Sequence, residues 1–330
     1  MNRHRWLRLL AAAAIFGLSA GFLFADEPPR ALLESAVQNV QSRNYAVAEK
    51  LFDALLAKQP DSVQALVGRG SCLLNRKAFE KALVDFTAAC KLDPKNVAAW
   101  VGRGSANAEM QQWNEAGLAY NEALKLDSRS ADAYVGRGGV RLSQGEIEKA
   151  LADYDQALRV QANCAAAFVG RGAVRILRRD PAMAVADYNE ALRLDPENVA
   201  ALQGRGYAYF RQKDFARARS DFSEAVRYEP DNPDALNRLA WLLAVCPESG
   251  LREGKKALEL ARRACSLTQN QSPYFLDTLA AALAETGDFA EASKAQGRVI
   301  DLANKMDKES LEQARRRLTI YAERKPYREP

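Results

Sequence analysis

The sequence has almost no histidine and no closely spaced cysteines. Its single histidine is His4, so nearly the whole chain lacks an imidazole base for a serine or cysteine nucleophile and a histidine metal ligand. No Cys-x-x-Cys pair occurs for a zinc or redox site. We expect mostly free, buried thiols, with disulfides as the alternative in an oxidising compartment. We therefore predict no catalytic residue, no metal site, no cofactor and no enzymatic activity. The five cysteines are Cys72, Cys90, Cys164, Cys246 and Cys265.

A strong excess of one charge is also missing. The formal net charge is +5 over 330 residues, of which 27% are charged. The first 25 residues contain three arginines and no acid, and without them 44 basic and 42 acidic residues leave a net charge of +2. Nucleic-acid-binding surfaces are far more basic than this. We therefore predict no nucleic-acid partner.

Long apolar runs are absent except for one at the N-terminus, from Leu9 to Phe24. A basic stretch precedes it and the polar sequence Ala25-Asp26 follows, which is the order of a secretory signal peptide. The run is slightly short for a spanning helix, which needs about 20 residues, but Leu23 stands where a cleavage site prefers a small residue. We expect residues 1–25 to be a signal peptide or, alternatively, a retained N-terminal membrane anchor.

Both outcomes place the rest of the chain outside the cytoplasm. We expect the protein to be exported and either periplasmic or secreted. The alternative is an inner-membrane anchor with the following residues in the periplasm, and any membrane attachment would then be through this segment only.

The sequence is rich in one repeated phrase. Gly-Arg-Gly occurs five times at a step of 34 residues, first at Gly68 and last at Gly204. An alanine column beginning at Ala82 and an aromatic column beginning at Phe86 keep the same step. Small residues at these columns would let two helices approach closely, with the aromatic side chains filling the space between units. A fixed period of this length indicates an array of helix–turn–helix units.

These columns resemble the tetratricopeptide repeat family. The family motif has a large residue near position 4, glycine at 8, alanine at 20, an aromatic at 24 and alanine at 27, and Trp100, Gly104, Ala116, Tyr120 and Ala123 match it in one unit. The resemblance implies an all-α, right-handed superhelical solenoid of about eight helix–turn–helix units with a C-terminal capping helix. The C-terminal units look like those of exported bacterial members of the family.

We expect the array to occupy residues 26–303 and the capping helix and tail to occupy residues 304–330. The residues from Cys246 to Gly250 should lengthen the turn of the seventh repeat. In the capping helix we expect Arg315–Arg317 to be solvated surface, the alternative being contact with a membrane or an acidic partner. The predicted repeats are 29–62, 63–96, 97–130, 131–164, 165–198, 199–232, 233–272 and 273–303.

Arginine fills one column where the family usually has an apolar residue. Sixteen residues later, where an antiparallel helix would pass it, aspartate returns in four of the five regular repeats. Because an unpaired charge is costly to bury, we predict structural ion pairs, with an anion-binding ladder as the alternative. The third repeat has Ala119 in the aspartate column, so Arg103 must find another acceptor or solvent. The predicted pairs are Arg69–Asp85, Arg137–Asp153, Arg171–Asp187 and Arg205–Asp221.

The resemblance also implies a concave groove lined by the first helix of each repeat. In the regular repeats the groove has neither the Lys nor the Asn with which some family members clamp a C-terminal carboxylate. Its valines suit a helix or an extended segment; alternatively, they only pack the superhelix. We predict a non-catalytic scaffold that binds a protein or peptide. The alternative is an accessory or specificity subunit of an envelope enzyme system for cell-wall or glycan processing, with catalysis on another chain. The predicted groove residues are Val67, Ser71, Val101, Ser105, Val135, Gly139, Val169, Ala173, Gln203, Tyr207, Asn237 and Trp241.

Overall fold

The computed structural model describes residues 27–269, 271–302 and 307–329. The prediction of a signal peptide or anchor in residues 1–25 lies outside the described residues. Within them the chain forms only α-helices and one short 3-10 turn, which confirms the all-α prediction. None of these helices combines the length and the apolarity that a membrane crossing requires. The chain divides into two compact units, residues 1–162 and 163–330.

In the described part of the first unit, from residue 27, there are four consecutive helix pairs, and each helix packs against the next one in the sequence. A predicted repeat of about 34 residues thus corresponds to one pair in each case. The helices are α1 (Pro29–Gln41), α2 (Tyr45–Lys58), α3 (Val63–Asn75), α4 (Phe79–Leu92), α5 (Val97–Glu109), α6 (Trp113–Leu126), α7 (Ala131–Ser143) and α8 (Ile147–Val160).

The second unit contains four further pairs and a final single helix, again with each helix packed on the next. A 3-10 turn, Ser249–Leu251, lies in the expected insertion between α13 and α14. The helices are α9 (Ala165–Leu177), α10 (Pro181–Leu194), α11 (Val199–Arg211), α12 (Phe215–Tyr228), α13 (Pro233–Val245), α14 (Gly254–Leu267), α15 (Pro273–Glu285), α16 (Phe289–Asp301) and α17 (Lys308–Ala322).

Polar caps set the start of most first helices. The Ser62 hydroxyl accepts a hydrogen bond from the backbone N–H of Ala65, over 3.3 Å, and Asn96 caps α5 in the same way. Such bonds satisfy N–H groups that have no partner within the helix. Cys164 precedes α9 at the equivalent position and its side chain makes no cap.

Within a pair, the turn between the two helices uses a residue with left-handed backbone. This residue is Lys77, Lys213 or Gly145 in three of the repeats, with φ of 60°, 61° and 77° respectively. The left-handed region costs a non-glycine residue about 1–2 kcal/mol. The repeat accepts this cost because the sharp turn lets the second helix return immediately along the first.

Phe86 and Tyr120 of the aromatic column each lie between the last glycine of one Gly-Arg-Gly phrase and the first glycine of the next. A Cβ atom added at Gly70 would lie 2.9 Å from Phe86 Cζ in the same repeat, and one added at Gly102 would lie 2.2 Å from Phe86 Cε1. The same arrangement holds Tyr120, with distances of 2.7 Å from Gly104 and 2.2 Å from Gly136 to ring carbons. The glycines therefore make room for an aromatic ring. The sequence analysis had instead explained these small residues by close approach of the two helices.

The capping helix α17 departs from the prediction at one residue. Arg315 and Arg316 are exposed, as expected, but Arg317 is only 5% exposed. Ala314, Arg317 and Tyr321 recur at helical spacing and form the buried face of α17. The expectation that all three arginines are solvated is therefore wrong for Arg317, because it forms an ion pair with a buried aspartate, Asp277, on α15.

Candidate functional site

The predicted arginines lie against the aspartates of their own repeats. Arg69 donates from Nε and Nη2 to the two carboxylate oxygens of Asp85, over 2.8 and 2.7 Å. This hydrogen bonding to Asp85 raises the pKa of Arg69 above its usual range, so the guanidinium stays charged. The remaining pairs are Arg137–Asp153, Arg171–Asp187 and Arg205–Asp221, each with an Nη2–Oδ1 distance of 2.7 Å.

A second acceptor, which the sequence analysis missed, comes from the preceding repeat. It stands sixteen residues before the arginine, so a column of Asp and Asn in that register was the available signal. Each of these arginines thereby joins two neighbouring repeats. The contacts are Arg69–Asp53, Arg137–Asn121 and Arg205–Asn189, each with an Nη1–Oδ1 distance of 2.8 Å.

Two of the aspartates bind a further arginine from the same first helix. Arg141 Nη1 lies 2.6 Å from Asp153 Oδ2, and Arg175 Nη1 lies 2.7 Å from Asp187 Oδ2. Four of the five arginines of the column thus already pair with a carboxylate of the chain, and two of these carboxylates are shared with a second arginine. This arrangement favours a structural role for the column over binding of external anions.

Arg103 of the third repeat lacks both acceptors. Its register positions carry Ala119, sixteen residues later, and Thr87, sixteen residues earlier. Its guanidinium lies 5.3 Å from the ring centroid of Trp100. Among the described residues, no acceptor lies within hydrogen-bonding distance of its buried Nε atom.

In the first unit the predicted groove residues present few free polar groups. Val67 and Val101 are half-buried and pack against hydrophobic clusters. The hydroxyls of Ser71 and Ser105 donate to the carbonyls of these two valines, over 2.9 and 3.1 Å. Val135 and Gly139 are also half-buried. This face is therefore smooth, and the small cavity of about 270 Å³ beside it includes only Ser105 of the predicted groove residues.

In the second unit the structure brings Tyr207, Asn237 and Trp241 to one cavity of about 550 Å³. Val169 packs instead against a hydrophobic cluster, and neither Ala173 nor Gln203 lines this cavity. Half of the groove residues predicted in this unit therefore meet at one place. The cavity also contains residues of α17 and the tail that the sequence analysis did not assign to a groove, namely Glu309, Ser310, Gln313, Arg317 and Glu329.

Asn237 is the most informative residue of this cavity. Its Oδ1 atom is buried and accepts no hydrogen bond from any residue in the described part of the chain. A buried acceptor without a donor costs about 1–3 kcal/mol. A ligand that supplies an N–H at this point would recover that free energy.

Cationic and aromatic side chains surround the amide. Arg211 donates from Nη1 to the Tyr207 hydroxyl over 3.2 Å. The guanidinium carbons of Arg211 and Arg238 lie 6.0 and 5.4 Å from the Tyr207 ring centroid. Tyr274 is 49% exposed on the same cavity. The site offers flat aromatic surface together with donors and a buried acceptor that has no donor, which suits a peptide.

A buried ion pair holds α17 against the cavity. Arg317 lies 2.9 Å from Asp277 Oδ1 through Nε and 2.8 Å from Oδ2 through Nη2. Gln296 Nε2 also donates to Asp277 Oδ1, over 2.7 Å. Burial raises the pKa of Asp277, while the charge of Arg317 acts in the opposite direction. The position of α17 thus depends on one carboxylate of α15.

The five cysteines are free and buried, as expected. Burial raises the pKa of the Cys72, Cys90 and Cys265 thiols to about 11. At neutral pH these thiols are protonated and therefore poor nucleophiles. None of the five lines the cavity around Asn237.

Comparison with known families gives one description for most of the chain. The family model described as Tetratricopeptide repeat matches six overlapping segments, residues 39–97, 79–133, 101–165, 135–199, 178–227 and 204–271. These segments cover well over half of the sequence. A search of the curated proteins finds no match.

Solved structures show the same fold. The APC/C hetero-tetramer Cut9-Hcn1 matches with a TM-score of 0.71 at 14% identity, over 86% of this chain, which spans 55% of that longer one. A tetratricopeptide repeat protein from Parabacteroides merdae matches with a TM-score of 0.55 at 20% identity, over 76% of this chain and 97% of its own. Pseudomonas aeruginosa PilF matches with a TM-score of 0.53 at 19% identity, over 66% and 96%. These likenesses confirm an all-α tetratricopeptide solenoid.

Proposed function

Because the chain belongs to the tetratricopeptide repeat family, whose repeats bind proteins or peptides and are generally non-catalytic, we propose that it is an interaction scaffold acting outside the cytoplasm. One observation carries the proposal: the cavity of the second unit, with the free Asn237 acceptor beside the rings of Tyr207 and Trp241. An extended peptide has a backbone N–H for the amide and side chains for the aromatic surface.

The first unit has a different part in this proposal. Its half-buried valines pack on the hydrophobic clusters beneath them, and its serine hydroxyls donate to their own helices. Such a surface offers apolar contact area without directional hydrogen bonds. We assign specificity to the cavity around Asn237 and only supporting contact to the face of the first unit.

The N-terminal sequence supports the proposed location. Three basic residues precede an apolar run of about signal-peptide length, and a polar stretch follows it. If the location is correct, the full chain will be recovered from an envelope or secreted fraction, with Asp26 as its first residue after cleavage or with an intact, membrane-bound N-terminus.

The binding proposal is tested with a substitution that should not harm folding. Asn237→Leu removes a buried acceptor that lacks a donor, so stability should be unchanged or slightly higher. Gln203→Leu is the matched control, because Gln203 holds the same position in the preceding repeat but does not line the cavity. The tagged full chain and both variants are used to capture partners from extracts of envelope and cytoplasm.

We expect a defined partner that the native chain and Gln203→Leu retain equally. Asn237→Leu should bind it about ten times more weakly, which corresponds to one lost hydrogen bond of about 1.4 kcal/mol. Equal retention by all three chains would contradict the proposal. Retention of a single enzyme would instead identify the chain as an accessory subunit of that enzyme.

A further inference from the structure

The chain's C-terminal tail folds back beside the cavity of the second unit. Residues from Pro326 to Glu329 are half-buried although they follow the last helix. The Glu329 backbone N–H donates to the Val245 carbonyl over 3.0 Å, and Arg328 Nη1 donates to the Ala244 carbonyl over 3.3 Å. Carbonyls in the last turn of a helix have no donor within the helix. The tail therefore completes the end of α13.

The side chains of the tail are held as specifically as its backbone. The Tyr327 ring centroid lies 6.0 Å from that of Trp241, with the planes tilted by 45°. The Arg317 guanidinium lies 5.3 Å from both ring centroids. Arg328 Nη2 lies 2.6 Å from Glu285 Oε2. Trp241, Glu285, Arg317 and the carbonyls of residues 244 and 245 thus form a seat, which we call the tail seat.

The charges of the tail seat define what it can accept. At the tyrosine position a cation already covers the ring, so a lysine or arginine there would face like charge. At the next position a carboxylate and a carbonyl oxygen converge, which suits a guanidinium with several donors. The order aromatic followed by arginine is therefore favoured over the reverse order.

The tail seat is continuous with the candidate site. Trp241 and Arg317 belong to both, and Glu329 is itself part of the cavity lining. A peptide that enters the cavity toward Trp241 will meet the tail before it can reach the end of α13. Cavity and seat can therefore hold one continuous segment only when the tail has left.

We propose that residues 326–329 are an internal ligand, and that a partner displaces them with its own extended segment in which an aromatic residue is followed by arginine. This inference rests on the function proposed above and names the chemistry of the partner. Because the tail is attached to the site, its effective concentration is in the millimolar range, so a free segment of equal intrinsic affinity is outcompeted. Binding of the partner therefore requires additional contacts elsewhere on the repeats.

The test uses full-length chains and a labelled peptide with the sequence of residues 324–330, Arg-Lys-Pro-Tyr-Arg-Glu-Pro. Binding is measured by fluorescence anisotropy to the native chain and to a variant with Tyr327→Ala and Arg328→Ala, which releases the tail. Lys325→Ala is the matched control, because the exposed Lys325 ammonium pairs with the exposed side chain of Glu323. Adding Trp241→Ala to the released variant removes the seat.

We expect the released variant to bind the peptide at least tenfold more tightly than the native chain or Lys325→Ala. Adding Trp241→Ala should abolish the gain, and a peptide with tyrosine and arginine exchanged should bind at least tenfold more weakly. Equal affinities of the native and released chains, absence of binding to both, or indifference to Trp241→Ala would each overturn the inference.

A second measurement needs no variant of the tail. An excess of unlabelled peptide should accelerate amide hydrogen exchange at Glu329 in the native chain, since it competes for the Val245 carbonyl. Unchanged exchange at saturating peptide would overturn the inference even if the released variant failed to fold. A partner captured through Asn237 without any response of the tail would leave the proposed function intact and remove only this inference.

Discussion

In four of the five regular repeats, a half-buried arginine pairs with a buried aspartate at a fixed distance in sequence, whereas in the C-terminal region a buried pair joins residues far apart. Arg69 and Asp85 are separated by 16 positions, and the same step recurs down the array. Arg317 and Asp277 are separated by 40 positions, and no other repeat has an equivalent pair among the residues that the structure describes. The periodic pairs recur in four of the five regular repeats, at Arg69, Arg137, Arg171 and Arg205. The unique pair fixes one helix at one end.

The largest effect should come from breaking the unique pair. Asp277→Ala leaves Arg317, which is only 5% exposed, without its carboxylate. Removing one partner of a buried pair costs about 3–5 kcal/mol of unfolding free energy. Urea denaturation of the full chain measures this loss.

The matched control lies on α17, the helix that carries Arg317. Glu312→Ala breaks an exposed pair with Arg316, whose contribution should be below about 0.5 kcal/mol. A cost of less than about 1 kcal/mol for Asp277→Ala would show that the C-terminal pair does not hold α17 in place.

An intermediate effect is expected in the regular repeats, where an aromatic ring packs against glycine. Gly136→Ala places a methyl group 2.2 Å from Tyr120 Cζ, so the ring or the helix must move. Overpacking of this kind costs about 1–3 kcal/mol. Thermal and urea unfolding measure the change.

Gly139→Ala provides the comparison within the same helix. The nearest atom to its added Cβ is Tyr154 Oη at 3.9 Å, an ordinary contact, so the helix should gain about 0.5–1 kcal/mol. If both substitutions shifted stability in the same direction, the ring contact would not be what demands glycine at position 136.

The smallest effect should come from supplying the aspartate that the third repeat lacks opposite Arg103. Ala119→Asp supplies the carboxylate that the other regular repeats have, opposite the unpaired Nε of Arg103. We expect a gain of about 1 kcal/mol, the net value of one added hydrogen-bonded contact.

A double-mutant cycle decides the origin of that gain. In a chain that also carries Arg103→Met, Ala119→Asp should lose its benefit and become destabilising, because a buried carboxylate is then unpaired. An unchanged benefit would mean that the two positions do not interact.

The periodic part of the molecule could be read from the sequence because its interactions repeat. Counting sixteen residues forward from Arg69 gives Asp85, and the helix pair follows from the 34-residue step. Counting sixteen residues backward would also have given Asp53, the acceptor on the preceding repeat. Those features depend on local register and on contact between neighbours only.

The candidate site could be predicted only in part. The period marked Tyr207, Asn237 and Trp241, since they occupy recurring positions on the first helices. It could not mark Arg317 or Tyr327, because the helix and the tail that carry them occur only once in the sequence. Whether a given arginine is solvated or buried there depends on Asp277, a residue on another helix that has no fixed offset from it.

The ring held between two glycines also limits how such a chain can change its length. Phe86 lies against Gly70 of its own repeat and Gly102 of the next, so each of these repeats supplies one half of the contact. Within the first unit, duplication or loss of a complete 34-residue segment rejoins matching halves, because Phe86 and Tyr120 are each held by two glycines in the same way. A segment of any other length would bring a side chain against a ring. Gene duplication can thus extend the array in whole steps without redesigning a junction.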